Sequence, residues 1–265
     1  MYLAAPLAPD ALERLFRAQV EIVAAVAFDE KTGAVTRSER QMLGALALSE
    51  RVAPESDIEA RSAVFVERVR ARGVTAIPWS DNALRTRQRL AFLHALDSTW
   101  PDMTDDALLR TVDDWLAPQL HLVRRWSDLA KADLGGALMS LAPHALRRQL
   151  DRLAPTHITV ATGSNVPVDY SDPGAPALAV RLQELFGTTD TPSVGGGRVP
   201  VTLHLLSPAG RPIQVTRDLG RFWSGSYAEV RKEMRGRYPR HPWPDDPLAA
   251  EPTRRAKPRK PRGGR

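Results

Sequence analysis

The chain has 265 residues, enough for one large or two ordinary globular domains, each with a real core. It contains no cysteine, which excludes a disulfide framework, a thiol nucleophile and a thiolate zinc site, and fits a reducing cytoplasm. The net charge of +6 is unevenly spread: from Arg211 onward there are 15 Lys/Arg against 6 Asp/Glu, and before it 22 against 25, so the C-terminal end carries a positive field suited to a polyanion.

The opening "MYLAAPLAPD" lacks a basic n-region and is cut by Pro6 and Pro9, so it does not read as a signal peptide. No apolar run approaches membrane-spanning length, and a soluble protein is expected. After a short helix over 9–16, Val20, Ile22, Ala24, Val26 and Phe28 alternate on one strand face and then turn through Asp29 to Gly33, which predicts a small hairpin sheet. The period then lengthens: Ile58, Val64, Phe65 and Val69, then Leu84, Leu90 and Leu93, recur at helical intervals, as do "MTDDALLRTVDDWLAP" and "HALRRQLDRLAP". Ser80 and Thr104 stand at N-cap positions, and Pro118, Pro143 and Pro155 interrupt, so the middle is expected to be a scaffold of short helices.

At His157 the composition changes. "HITVATGSNVPVDYSD" predicts two short strands around Gly163, "PALAVRLQELFG" a helix ending at Gly187, and "GGGRVPVTLHLLSPAGRPIQVT" a hairpin turning at Ser207–Gly210 with Val201, Leu203 and Leu205 on one side. The expected fold is therefore α+β in four segments. These are a β-rich entry at 1–52, a helical bundle at 53–155, a mixed α+β domain at 156–247 and a disordered basic tail at 248–265.

"FWSGSYAEVRKEMRGRYPRHPWPDDP" is the densest run of rings, arginines and prolines. Trp223, Tyr227, Val230 and Met234 fall on one helical stripe, so these side chains are expected in the core rather than on a stacking platform. Ser226 with Glu229 predicts a capping box that leaves Trp223 just ahead of the helix, and Gly236 predicts its stop. The proline-rich end predicts a rigid strap across the domain. Arg231, Lys232 and Arg235 lie off the stripe and Arg221, Arg237 and Arg240 flank it. With Arg254, Arg255, Lys257, Arg259 and Lys260 of the tail they form the candidate nucleic-acid-binding set, against the alternative of a merely solvated basic face. Asp245 and Asp246 are adjacent carboxylates without an assigned partner, a poor acid/base pair. "SVGGGR" is a glycine run whose N–H groups suit a phosphate but more often make a plain loop. His94, His121, His144, His157, His204 and His241 have no metal-ligand spacing, and no serine sits in a nucleophile elbow. No catalytic, cofactor or metal residue is assigned.

The segments "RLQELFG", "GRVPVTLHLLSPAGRPIQVTRDLGRFW", "SYAEVRKEMRGRYPRHPWPDDP" and "PTRRAKP" resemble the C-terminal region of HrpB-type ATP-dependent helicases. "RLAFLHALD" through "DDWLAPQL", "APTHITVATGSNVPVDYSDP" and "AAPL" before the hairpin extend the resemblance to essentially the whole chain. It implies a place in the DExH-box class, whose motor consists of two RecA-like lobes with a phosphate loop and an Asp-Glu-x-His site for Mg²⁺. Neither G-x-x-x-x-G-K-[ST] nor D-E-x-H occurs here, so the resemblance implies the non-motor part of such an enzyme, with ATP and Mg²⁺ needed only in the motor.

Three readings follow. The first is an accessory region that extends the motor's path for RNA or single-stranded nucleic acid with Arg/Lys contacts to phosphates, working with motor domains in cis or in trans. The second is an interaction module that docks on the helicase core or another protein. The third and weakest is an independent enzyme.

Overall fold

The computed structural model describes residues 15–256. They divide into two compact units: the chain up to Leu84 with Thr104–Ser140, and Arg85–Met103 with the chain from Leu141 onward. The middle helices are thus shared between the units.

In the first unit, β1 (Val20–Phe28), β2 (Val35–Leu43) and β3 (Leu46–Pro54) form an antiparallel meander. The β1–β2 turn is where the sequence places it. Asp29 accepts from the Lys31 N–H at 2.9 Å and the Thr32 hydroxyl at 2.7 Å, and Gly33 takes a φ of 67°. Those bonds, the Thr32 hydroxyl first, lower the Asp29 pKa. The third strand was not part of the expected hairpin; it begins after a tight turn at Gly44, whose φ is 56°.

Short helices complete this unit. Helix α1 (Ile58–Arg72) is capped by the Asp57 carboxylate and stopped at Gly73. Helix α2 (Asp81–Leu96), of which the first unit holds only the first turn, starts at Ser80, whose hydroxyl accepts from the Ala83 N–H. Helix α3 (Asp105–Arg110) starts at Thr104, whose hydroxyl accepts from the Ala107 N–H, so both caps stand where the sequence predicts them. Helices α4 (Val112–Trp115) and α5 (Leu134–Ser140) follow, with 3₁₀ turns at Ala117–Leu122 and Trp126–Lys131. The core contains Phe65, Val69, Leu108, Trp115, Leu120, Leu129 and Leu138. Buried Arg61 is satisfied by the carbonyls of Val123, Glu55 and His121 at 2.8, 3.2 and 3.3 Å, which ties the start of α1 to the 3₁₀ segment.

In the second unit, a five-stranded sheet runs in the order β10-β9-β6-β5-β4. Its strands are β4 (His157–Thr159), β5 (Asn165–Asp169), β6 (Ala177–Arg181), β9 (Thr202–Leu206) and β10 (Pro212–Thr216). The pair β7 (Ser193–Val194) and β8 (Val199–Pro200) stands apart. The strands around Gly163 and the hairpin at Ser207–Gly210 are where the sequence puts them, and Val201, Leu203 and Leu205 are fully buried. Short helices α6 (His144–Arg147) and α7 (Leu150–Leu153) precede the sheet. Arg89 of α2 reaches the Ala154 carbonyl at 2.6 Å, and Phe92 packs on Tyr170 with ring centroids 5.1 Å apart.

The expected helix "PALAVRLQELFG" is instead strand β6 followed by a 3₁₀ turn, Leu182–Leu185. Leu178 and Val180 point inward while Ala179 and Arg181 stay exposed, a period of two. The strand runs parallel to β9 and antiparallel to β5, so pairing on both edges overrides the helical propensity of Ala and Leu.

The C-terminal helix also differs from its expected limits. Trp223 lies inside a separate helix, α8 (Leu219–Ser224), capped by Asp218, and α9 spans Tyr227–Arg237. Gly225, with φ −110° and ψ −92°, bends the chain between them, and Ser226 makes no side-chain cap bond. Gly236 is inside the helix. The stop is Tyr238, because the ring of Pro239 excludes the residue before it from helical geometry.

Candidate nucleic-acid interface

The inner side of α8 and α9 is a cluster of rings. Phe222, Trp223, Tyr227 and Met234 are buried, and Trp223 lies 5.3 Å from Tyr227 and 6.0 Å from Phe186, centroid to centroid. The Trp223 indole donates to the Thr188 carbonyl at 2.8 Å, so its polar edge is satisfied inside the core. These rings are packing, as the stripe predicts, and Val230 beside them is half-buried.

The proline-rich segment crosses this cluster as a strap. Trp243 is 7% exposed and its indole donates to the Tyr238 carbonyl at 3.0 Å. The Tyr227 hydroxyl donates to the Pro244 carbonyl at 2.8 Å, and burial pushes that phenol's pKa up to about 12. Arg231 donates from Nε to the Trp243 carbonyl at 2.9 Å and pairs with Asp245. Arg231 and Asp245 therefore fasten the strap, and Asp246 accepts from the Leu248 and Ala249 N–H groups. Neither carboxylate faces the other as an acid/base pair.

The outer side of the same elements is basic. Arg221, Lys232, Arg235, Arg237 and Arg240 are exposed, and Arg237 has a loose i,i+4 contact of 3.7 Å to Glu233. Arg231 and Arg235 stand one helical turn apart, with Lys232 beside them. Arg240 and Arg181 both lie near His241, and burial followed by these two charges lowers its pKa.

Arg254 and Arg255 belong to a second place. Past the strap, the Gly187 N–H donates to the Pro247 carbonyl at 3.0 Å and the Thr253 N–H to the Gln183 carbonyl at 2.9 Å, so the first part of the tail lies against the unit. Arg254 donates to the Thr162 carbonyl at 3.2 Å and stands 3.8 Å from buried Glu184. Thr162, 92 residues earlier in the sequence, carries no signal that would have marked it. Lys257, Arg259 and Lys260 lie outside the described residues.

The other motifs resolve into structure. Gly195 of "SVGGGR" donates to the Leu153 carbonyl at 2.6 Å, and a Cβ there would stand 2.7 Å from Leu96, so this glycine serves close packing. Among the described residues no group of three His, Asp or Glu side chains is placed to hold a metal ion, and no helix is long and apolar enough to cross a membrane.

Residues 115–247 match the family model for the C-terminal region of ATP-dependent helicases of the HrpB type. Over 235 residues the chain is 40% identical to the ATP-dependent RNA helicase HrpB of Escherichia coli K12, which covers 88% of this chain and 29% of that protein. A crystal structure of the E. coli DExH-box NTPase HrpB superposes with a TM-score of 0.72 at 36% identity, over 95% of this chain and 31% of that one. A second crystal structure, of the E. coli DEAH/RHA helicase HrpB, gives a TM-score of 0.61 at 35% identity, over 85% of this chain and 29% of that one. The chain thus spans about a third or less of the length of these relatives. Matched in sequence over most of its length and in three dimensions, the chain belongs to the HrpB-type ATP-dependent helicase family, as its C-terminal region.

Proposed function

We propose that this region works beside an HrpB-type motor as a nucleic-acid-contacting accessory, holding the phosphate backbone of a single strand, RNA by analogy with its relative's name. The observation that carries the reading is the division of α8, α9 and the strap into a buried aromatic side and an exposed side bearing Arg221, Lys232, Arg235, Arg237 and Arg240. A helix fixed by its own core presents these charges with little ordering cost, whereas a flexible arm must be ordered on binding. Phosphate contacts of this kind position a strand without reading its bases. The region brings no ATPase motif of its own, and ATP and Mg²⁺ act in the motor.

Fluorescence anisotropy with labelled single-stranded RNA and DNA at several salt concentrations tests the reading. Neutralising about 3 to 6 phosphates gives a log K against log[salt] slope of about −2 to −4 for single strands. Lys232→Glu with Arg235→Glu should weaken binding to every sequence alike. No binding at low salt would overturn the reading.

One observation favours docking on a protein as a second role. Ile22, Val23, Leu46 and Val52 are large apolar side chains left exposed on the first sheet. Binding to separately expressed motor domains that survives the α9 charge reversal, with no RNA binding, would favour it.

A further inference from the structure

A polar hollow lies where the tail meets the β4–β5 turn. It has a volume of about 560 Å³ and is lined by Ala161, Thr162, Pro252, Thr253, Arg254 and Arg255. That is within the range of roughly 300 to 1,000 Å³ of small-ligand clefts. Both walls are held. The turn closes through the Val160 N–H to the Ser164 carbonyl at 3.0 Å and the Gly163 N–H to the Val160 carbonyl at 2.8 Å. The tail side is fixed by Thr253 N–H to the Gln183 carbonyl and by Thr253 Oγ1, which accepts from the Arg255 N–H at 3.1 Å.

Two arginines, Arg254 and Arg255, line this hollow. Behind the wall, buried Glu184 accepts from the hydroxyls of Thr162, at 2.8 Å, and Ser164. Those hydroxyls occupy the same carboxylate oxygen that Arg254 faces from 3.8 Å, beyond hydrogen-bond length. Arg254 is thus fixed in the wall by Glu184 on its Nε and by the Thr162 carbonyl on its Nη2. The Arg255 side chain has no partner among the described residues, and both arginines line the one hollow. Planar N–H forks of this kind recognise phosphate oxygens.

We propose that this hollow is a subsite for one phosphate-bearing nucleotide unit of the bound single strand, gripped by Arg254 and Arg255 against the β4–β5 turn. The inference rests on the nucleic-acid reading above and adds a place to it. The first part of the tail is then a wall of a defined site.

The test uses the full chain and a short oligouridylate containing 4-thiouridine, with photocrosslinked peptides mapped by mass spectrometry and affinities measured by anisotropy from about 50 mM salt upward. Cross-links in the peptides holding Ala161–Ser164 or Pro252–Arg255 are expected. Arg255→Gln should weaken binding about tenfold, the loss of a charge-assisted bond, and flatten the salt slope by about 0.7. It touches no internal partner among the described residues, so its thermal melt should match the parent's. Binding that is lost in Lys232→Glu/Arg235→Glu but unchanged in Arg255→Gln, with cross-links elsewhere, would overturn the subsite and leave the broader reading standing. Absence of any binding at low salt would overturn both.

Discussion

The two sheets of this protein are held together in opposite ways. Strands β1 to β3 are nine residues each and pair along nearly their full length, yet Ile22 is 69% exposed and Leu46 66%. The five-stranded sheet has strands of three to five residues, yet Leu178, Leu203 and Leu205 are completely buried. Backbone pairing therefore defines the first sheet and side-chain burial the second. Since apolar burial stabilises a fold more than backbone pairing does, substitutions should be felt in inverse relation to strand length.

The largest losses should fall at the aromatic cluster that closes the second unit. Trp223→Ala should cost about 3 to 5 kcal/mol, and Leu203→Ala in β9 about 2 to 5, both read from urea unfolding. Ile22→Ser, at an exposed position near the start of β1, should stay within about 0.5 kcal/mol. Equal losses at Leu203 and Ile22 would show that the first sheet is covered in the isolated chain.

Gly187→Ala sharpens the role of the strap. The glycine has a φ of 73°, and a Cβ there would meet the Ala250 carbonyl at 3.3 Å. A cost of about 1 to 2 kcal/mol is expected from the left-handed backbone alone, with faster proteolysis of the segment after Pro247 in a limited-digestion time course. Helix caps provide a finer contrast. Thr104→Ala should destabilise by about 1 kcal/mol, because its hydroxyl caps α3, while Ser226→Ala should change the melting midpoint hardly at all, because its hydroxyl caps nothing.

The smallest effect is electrostatic. The His241 pKa is lowered by burial and by Arg240 and Arg181, so the neutral ring is the form the fold favours. Its contribution is present above the ordinary histidine value and is lost as pH falls through the lowered one. Replacing it by Asn should make the melting temperature fall slightly less between neutral and mildly acidic pH.

Legibility followed the range of the deciding contact. The Asp29–Gly33 turn, the hairpin at Ser207–Gly210 and the caps at Ser80 and Thr104 are local and could be read from neighbouring residues. The buried stripe of Trp223, Tyr227 and Met234 was legible too, although a bend at Gly225 splits it between two helices. Strand β6 was not. Leu178, Leu182 and Leu185 also satisfy a helical period, and pairing with β5 on one edge and with β9, arriving from further along the chain, on the other makes Ala177–Arg181 a strand. The candidate arginines were visible as composition, but composition does not reveal that Arg231 is committed to the strap or that Arg254 faces Thr162 across 92 residues.

The strap also has a consequence for the order in which the protein is made. Tyr227 and Arg231 receive their partners Pro244, Trp243 and Asp245 only from later residues, and Gly187 and Gln183 wait for Pro247 and Thr253. During vectorial synthesis the first unit has all its residues once Ser140 has left the ribosome, whereas the second stays open until the segment beyond Trp243 emerges. A ribosome stalling, or a stop codon arising, shortly before Trp243 would release a chain with one finished unit and an uncovered cluster of rings, a species suited to chaperone capture and degradation.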